Sequence, residues 1–88
     1  MVALDLLGRR TALRILWELR DGSLTFRALQ DRCETNSSLL NTRLKELRES
    51  RLVDHAEDGY RLTAAGTKLT RALQPLSRWA EEWAGAQD

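Results

Sequence analysis

The spacing of apolar residues changes abruptly near residue 52, and this change constrains the fold more than any other feature of the sequence. Upstream, Leu40, Leu44 and Leu47 recur at the spacing of one helix face. Downstream, the short runs 52–56 and 60–63 flank a turn that contains Asp-Gly, a pattern typical of a β-hairpin. A helix followed at once by a hairpin leaves few architectures open.

The first segment, from about Val2 to Arg20, is predicted to be helical with a break at Gly8. The sequence Asp21-Gly22 is expected to end this helix. One apolar stripe at i, i+3, i+4 and i+7 is formed by Ala12, Ile15, Leu16 and Leu19.

Two good N-cap residues predict where the second and third helices begin. Thr25 precedes a helix expected over 26–32, with Phe26 as a core contact, and Asn36 precedes one that runs to about Ser50. Oxygen atoms of such side chains accept the free amide protons of a first turn. Leu24 is predicted to form a short strand before the second helix.

A long final helix is predicted over about 64–84, with a kink at Pro75 because proline removes a backbone hydrogen bond. Its apolar residues at helical spacing are Leu69, Leu73, Leu76, Ala80 and Trp83. The order is helix, short strand, helix, turn, helix, hairpin, long helix, which predicts a mainly α winged helix-turn-helix fold with a small β-hairpin. We expect residues 1–88 to form a single domain of this type.

Composition excludes several classes of protein. The chain is 88 residues long, 42% hydrophobic and 31% charged, an ordinary profile for a globular domain. It has no apolar stretch near the ~20 residues of a membrane span, and its start does not resemble a signal peptide. The lone Cys33 cannot form an internal disulfide or hold a metal by itself. We therefore expect a cytoplasmic protein without a cofactor.

The net charge of +1 hides an uneven distribution of charge. Residues 60–78 carry four cations and no acid, and residues 36–51 carry four cations against two acids. Such clustering indicates either one basic face suited to phosphate or ordinary solvated helix faces.

At this point the sequence resembles the HxlR-type winged helix-turn-helix regulators of bacteria. The similarity runs almost without gaps from Leu4 to Trp79. The matching residues are Leu4-Asp5-Leu6-Leu7-Gly8, Ile15-Leu16, Glu18-Leu19, Asp21-Gly22, Leu24, Phe26, Leu40, Arg43-Leu44, Glu46-Leu47, Leu52-Val53, Tyr60, Leu62-Thr63, Gly66, Leu69 and Trp79-Ala80-Glu81-Glu82. The resemblance implies a DNA-binding regulator whose first and last helices pair with those of a second subunit.

Four departures from the family pattern stand out. The sequence Gly8-Arg9-Arg10-Thr11-Ala12 replaces the usual Gly-Gly-Lys-Trp-Thr, and no cysteine precedes the first helix. Arg51 stands where a glycine usually ends the recognition helix, so we expect a different local turn. The wing is short and carries Asp54, Glu57 and Asp58, which argues against its insertion into a DNA groove.

The third helix carries the candidate base-reading residues. On a helical wheel its leucines point one way, and a set of small polar or basic residues points the opposite way: Ser38, Asn41, Thr42 and Lys45. Asparagine pairs with adenine, lysine reaches guanine acceptors, and threonine offers a methyl to thymine. The alternative is an ordinary solvated helix face.

Candidate phosphate contacts are Ser37, Arg43, Arg48 and Arg61. Arg43 either reaches a phosphate or bridges Glu46 or Asp31, whereas Arg61 lies on the predicted wing. His55 is either a titratable group in the hairpin or an exposed residue without a role. Cys33 is interpreted as a buried or half-buried filler. The alternative is redox activity, which would require a lowered pKa of its thiol.

The chain ends supply more apolar surface than a small body can cover, which predicts a homodimer. The candidate interface residues are Leu4, Leu7, Leu69, Leu73, Leu76, Trp79 and Trp83. The alternative is that these side chains belong to the intramolecular core.

The leading hypothesis is a sequence-specific regulator that binds double-stranded DNA as a homodimer. The alternative is a winged-helix protein-interaction module without DNA binding, which the acidic wing favours. An enzyme is disfavoured, because one His, one Cys and one Tyr make no recognised catalytic arrangement. The sequence gives no indication of the operator, the sign of regulation or a small-molecule effector.

Overall fold

The computed structural model describes residues 10–87, and its element order confirms the winged helix-turn-helix prediction. The elements are α1 (Arg10–Glu18) with a 3₁₀ turn (Leu19–Asp21), α2 (Phe26–Cys33), α3 (Ser37–Glu49), β1 (Val53–Ala56), β2 (Gly59–Leu62) and α4 (Ala64–Gln87). The predicted helix before residue 10 and its break at Gly8 lie outside the described residues.

Both predicted N-caps are confirmed. The Thr25 hydroxyl oxygen accepts a hydrogen bond of 3.1 Å from the backbone N–H of Ala28. The Asn36 side-chain oxygen accepts one of 2.8 Å from the N–H of Leu39. Each bond satisfies an amide proton that the first turn of a helix leaves free, so α2 and α3 begin where local chemistry places them.

The turn between α2 and α3 depends on a left-handed residue. Glu34 has φ 52°, and its N–H and that of Thr35 return to the carbonyl oxygens of Asp31 and Gln30, each at 3.3 Å. These two bonds satisfy the last carbonyls of α2 and redirect the chain into α3.

The two strands pair antiparallel, and Ala56 lies opposite Gly59. The connecting loop is therefore Glu57-Asp58, one residue shorter than the predicted turn. Leu24 exchanges backbone hydrogen bonds of 2.8 Å and 3.0 Å with Tyr60, which confirms its predicted strand character. Gly59 has φ 125°, and a Cβ there would collide with the Leu24 carbonyl, so this position requires glycine.

The core lies between α1, α2, α3 and the hairpin. The predicted stripes of α1 and α3 are both buried, while Phe26 packs against the core as a partly buried residue. The buried apolar residues are Ala12, Ile15, Leu16, Leu19, Leu29, Leu40, Leu44, Leu47, Val53 and Tyr60. Burial of one large apolar side chain stabilises the fold by about 1.5–3 kcal/mol, so these residues hold α3 rigidly against the body.

The expectation of a different turn after α3 was wrong. Arg51 has φ 59°, the left-handed conformation that a glycine adopts most easily. Its N–H donates to the Arg48 carbonyl at 3.0 Å, and the N–H of Leu52 donates to the Leu47 carbonyl at 2.9 Å. The two bonds form a Schellman motif, whose hydrogen bonds hold an arginine in a backbone conformation that disfavours it.

Among the described residues, the side chains of α4 that are buried or packed on the core lie in its first half. Thr70 is buried and Leu69 packs against the core, whereas the side chains described over 74–84 are all exposed. The helix continues through Pro75, and the kink expected there stays a prediction. Within residues 10–87, none of the helices combines the length and apolar character that crossing a bilayer needs.

Candidate nucleic-acid interface

Helix α3 presents two chemically different faces. Leu40, Leu44 and Leu47 are at most 1% exposed, so the inner face is fixed in the core. All four predicted base-reading residues lie on the solvent side and are exposed: Ser38, Asn41, Thr42 and Lys45. The apolar contacts therefore set the orientation of the polar face, which is the arrangement that a reading helix needs.

The first residues of α3 are small and polar, and hydrogen bonds hold them in place. Ser37 is its first residue and is exposed directly after the Asn36 cap. The Thr42 hydroxyl donates a hydrogen bond of 3.0 Å to the Ser38 carbonyl one turn earlier. This bond restricts the Thr42 rotamer and uses its only proton, so an accepting lone pair and the methyl group remain for contacts outside the protein.

The cations of α3 differ in their availability. Arg43 is partly buried, and its guanidinium lies 2.6 Å from a carboxylate oxygen of Glu46. Of the alternatives left open for Arg43, the structure shows the ion pair with Glu46. Lys45 and Arg48 are exposed, and within residues 10–87 neither forms a salt bridge.

The wing has mixed charge. Arg61 is exposed on β2, and Asp54 lies directly opposite it on β1, a pairing in which opposite charges attract. Glu57 and Asp58 are exposed in the connecting loop. The cation predicted to contact phosphate therefore has an acidic neighbour across the hairpin and two acids at the tip.

An open cleft of about 430 Å³ separates α3 from β1. It is lined by Lys45, Arg48, Glu49, Val53, Asp54 and His55. Sequence reasoning placed Lys45 and Arg48 at the interface with Glu49 beside them, but it did not place Asp54 and His55 of the wing next to these residues. This cleft forms because the hairpin folds back beside α3. The periodicity of a single helix or strand contains no information about that arrangement.

Cys33 is half-buried and packs against the core, as the filler interpretation predicts. Burial raises the pKa of its thiol, the Glu18 carboxylate raises it further, and the Arg14 guanidinium lowers it. A reactive thiolate needs the opposite net direction. Among the described residues no cluster of three His, Cys, Asp or Glu side chains could hold a metal ion.

The C-terminal half of α4 exposes a patch of large apolar side chains. Leu76, Trp79 and Trp83 are 58%, 58% and 54% exposed, and the two indole rings stack at 6.2 Å between centroids. Leu73 is half-buried beside a small cleft against α1, and Leu69 packs on the core of its own chain. The other two predicted interface residues, Leu4 and Leu7, lie outside the described residues.

Solved structures of bacterial regulators share this architecture. The quinone-bound form of YodB from B. subtilis is 32% identical, with a TM-score of 0.83 over 91% of this chain and 92% of that one. The transcriptional repressor BigR from Xylella fastidiosa is 27% identical, with a TM-score of 0.75 over 83% of this chain and 77% of that one.

Sequence comparisons agree with the structural ones. An uncharacterised HTH-type transcriptional regulator of Methanocaldococcus jannaschii is 23% identical over 92% of this chain and 81% of its own length. The model of the HxlR-like helix-turn-helix family matches residues 6–88. With the winged fold and this match over nearly the whole chain, the protein belongs to the HxlR-like helix-turn-helix family and is a transcriptional regulator of that type.

Proposed function

We propose that residues 1–88 act as one winged helix-turn-helix unit that binds specific DNA sequences as a homodimer. The observation that carries this proposal is the two-sided character of α3. Its leucine face is fully buried, while Ser38, Asn41, Thr42 and Lys45 face solvent from a rigidly held helix. A polar helix face presented in this way fits a major groove about 12 Å wide.

The exposed side chains of α3 match the chemistry of base edges. The Asn41 amide donates and accepts at once, as adenine recognition requires, and Lys45 supplies a donor for guanine oxygen and nitrogen. The Thr42 methyl suits the thymine methyl, since its hydroxyl proton is already used within the helix. Sequence-specific reading by this helix follows from these three groups.

Backbone contacts are proposed for Ser37, Arg48 and Arg61, which are all exposed. Arg43 contributes to phosphate binding only when its guanidinium leaves Glu46, so its contribution is expected to be the weakest of the four. Contacts of this kind position the protein on DNA without reading sequence.

The exposed patch of α4 supports a two-fold dimer. Leu76, Trp79 and Trp83 lie on the second half of α4, and within the described chain each is more than half exposed. An isologous interface would bury this patch against its own copy, together with Leu73 and the residues Leu4 and Leu7. Such a dimer presents two α3 helices to successive major grooves about 34 Å apart. The proposed partners are double-stranded DNA and a second copy, and neither contact requires a cofactor.

The direct test combines selection from a random duplex library with affinity measurement by fluorescence anisotropy. We expect a palindromic consensus, and we expect log K for the selected duplex to fall linearly with log salt. Analytical ultracentrifugation at tens of micromolar protein should show a dimer. No enrichment of any sequence, or a monomer with full affinity for the selected duplex, would contradict the proposal.

The second candidate function is a protein-interaction module that does not bind DNA. Its supporting observation is the exposed acidic wing, where Asp54, Glu57 and Asp58 would repel phosphates. The same titration separates the two functions, because a module of this kind shows no salt-dependent affinity for duplex DNA.

A further inference from the structure

The cleft between α3 and β1 brings the reading helix and the wing to one place. Lys45 and Arg48 line it from α3, and His55 lines it from β1. In a complex with a helix in the major groove and a hairpin beside it, one sugar-phosphate strand separates the two elements, because the strand forms the wall between adjacent grooves. The α3–β1 cleft is the space on this protein that such a strand would occupy.

The ring of His55 is held in place although it is exposed. It stacks on the ring of its cross-strand partner Tyr60, with centroids 4.1 Å apart and planes 2° from parallel. Tyr60 is only 8% exposed and packs in turn near Phe26, at 6.5 Å between ring centroids. A buried aromatic residue thus restricts an exposed imidazole, which reduces the entropy lost when that imidazole binds a ligand.

The charges of the cleft are balanced when His55 is neutral. The groups that face it are the cations Lys45 and Arg48 and the carboxylates of Glu49 and Asp54, with the Tyr60 phenol behind the ring. Protonation of His55 leaves the cleft with an excess positive charge. Histidine is the side chain whose charge ordinarily changes between about pH 5 and 8, and His55 is the only histidine of the chain.

We propose that the α3–β1 cleft binds the DNA sugar-phosphate backbone and that protonated His55 is one of its phosphate ligands. This inference rests on the proposed DNA-binding function. A phosphate beside the ring favours the charged imidazole, so DNA binding takes up a proton at His55. The affinity for duplex DNA therefore rises as the pH falls through the range in which histidine titrates.

The test measures duplex affinity by fluorescence anisotropy between about pH 5.5 and pH 8 at constant ionic strength. For the unmodified chain we expect about tenfold tighter binding at the acidic end, the size of one charge-assisted contact. We also expect the slope of log K against log salt to be steeper there by about 0.9, as one more phosphate is neutralised.

Three variants separate the charge of His55 from its packing. His55→Phe keeps an aromatic ring on Tyr60 without a charge, and His55→Gln keeps polarity without a charge. Both should lose the increase in affinity at low pH, because neither side chain can take up a proton in this range. His55→Arg should bind tightly at both ends of the range, because its charge is permanent. Thermal melts at both pH values check that each variant is folded.

The possible results separate the role of His55 from the DNA-binding function on which it depends. Duplex binding that tightens equally at low pH in His55→Phe and His55→Gln, or that does not tighten in the unmodified chain, would overturn the role of His55 alone. Absence of duplex binding at every pH would overturn the DNA-binding function together with this inference.

Discussion

The hydroxyl of Thr63 donates a hydrogen bond of 2.7 Å to the backbone carbonyl of Arg51. The same oxygen accepts a hydrogen bond of 3.0 Å from the N–H of Gly66, which makes Thr63 the N-cap of α4. One side chain therefore joins the turn after the reading helix to the start of the final helix.

Replacement of Arg51 by glycine should stabilise the fold. The left-handed backbone at φ 59° disfavours any residue with a Cβ by about 1 kcal/mol, and glycine removes that term. The free energy of unfolding should rise by a similar amount, with a melting temperature about 4–8 °C higher. Arg51→Ala is the control, because it removes the charge and keeps the Cβ. Equal stability of the two variants would show that the backbone at this position is not strained.

Gly66→Ala should destabilise the protein. A Cβ at Gly66 would overlap the carbonyl group of Leu52, so the first turn of α4 must shift, at a cost of about 1–3 kcal/mol. Gly85→Ala is the matched control, since a Cβ there meets nothing within 4 Å and alanine favours the helix. Chemical denaturation measures both variants. A Gly66→Ala protein as stable as the unmodified chain would refute the close approach.

Asn41→Ala and Lys45→Ala should each weaken binding to the selected duplex by about 1–3 kcal/mol and change affinity for a scrambled duplex less. Both side chains are exposed, so the melting temperature should stay the same. Gln74→Ala, which removes an exposed amide on α4, is the control for Asn41. If both α3 variants retain full affinity for the selected duplex, this helix is not the reader.

Arg61→Ala should weaken binding to all duplexes about equally and lower the salt slope by about one unit, as expected for loss of one phosphate contact. Asp54→Asn should strengthen binding to all duplexes, because it removes the acid directly across from Arg61. Fluorescence anisotropy over a salt series reports both variants. A loss confined to particular sequences would mean that Arg61 reads bases or DNA shape.

The double variant Trp79→Ala with Trp83→Ala should be monomeric and should lose affinity for a palindromic duplex, although α3 is unchanged. The two stacked rings are more than half exposed and would form the centre of the interface. Lys68→Ala is the control for the oligomeric state, since Lys68 is exposed on the first half of α4, away from the two rings. Sedimentation velocity gives the oligomeric state. A double variant that still sediments as a dimer would place the interface elsewhere.

Much of the fold was predictable from the sequence, because the responsible interactions are local. The caps at Thr25 and Asn36 join residues three apart, and the hairpin is determined by a turn between two short runs. The buried face of α3 follows from the period of its leucines. Predicting which side of α3 is polar and exposed required no knowledge of its neighbours.

Contacts between distant segments were decided only by the tertiary structure. Arg51 adopts a left-handed conformation that its residue type disfavours, and its carbonyl is held by Thr63, twelve residues later. The pairing of Arg43 with Glu46 resolved alternatives that their spacing had left open, because rotamers depend on the surrounding packing. The cleft beside His55 exists because the hairpin folds back next to α3.

The final helix also shows which features the sequence determines and which depend on the tertiary structure. Its sequence places Leu69, Leu73, Leu76 and Trp83 at helical spacing and so determines that they share one side of α4. The sequence does not reveal how far along α4 the rest of the molecule extends. In the structure Leu69 packs on the core, whereas Leu76 and Trp83 are more than half exposed, because an open cleft lies between α1 and the second half of the helix. Periodicity determines the direction of a side chain, but only the arrangement of the other elements determines whether that side chain is covered.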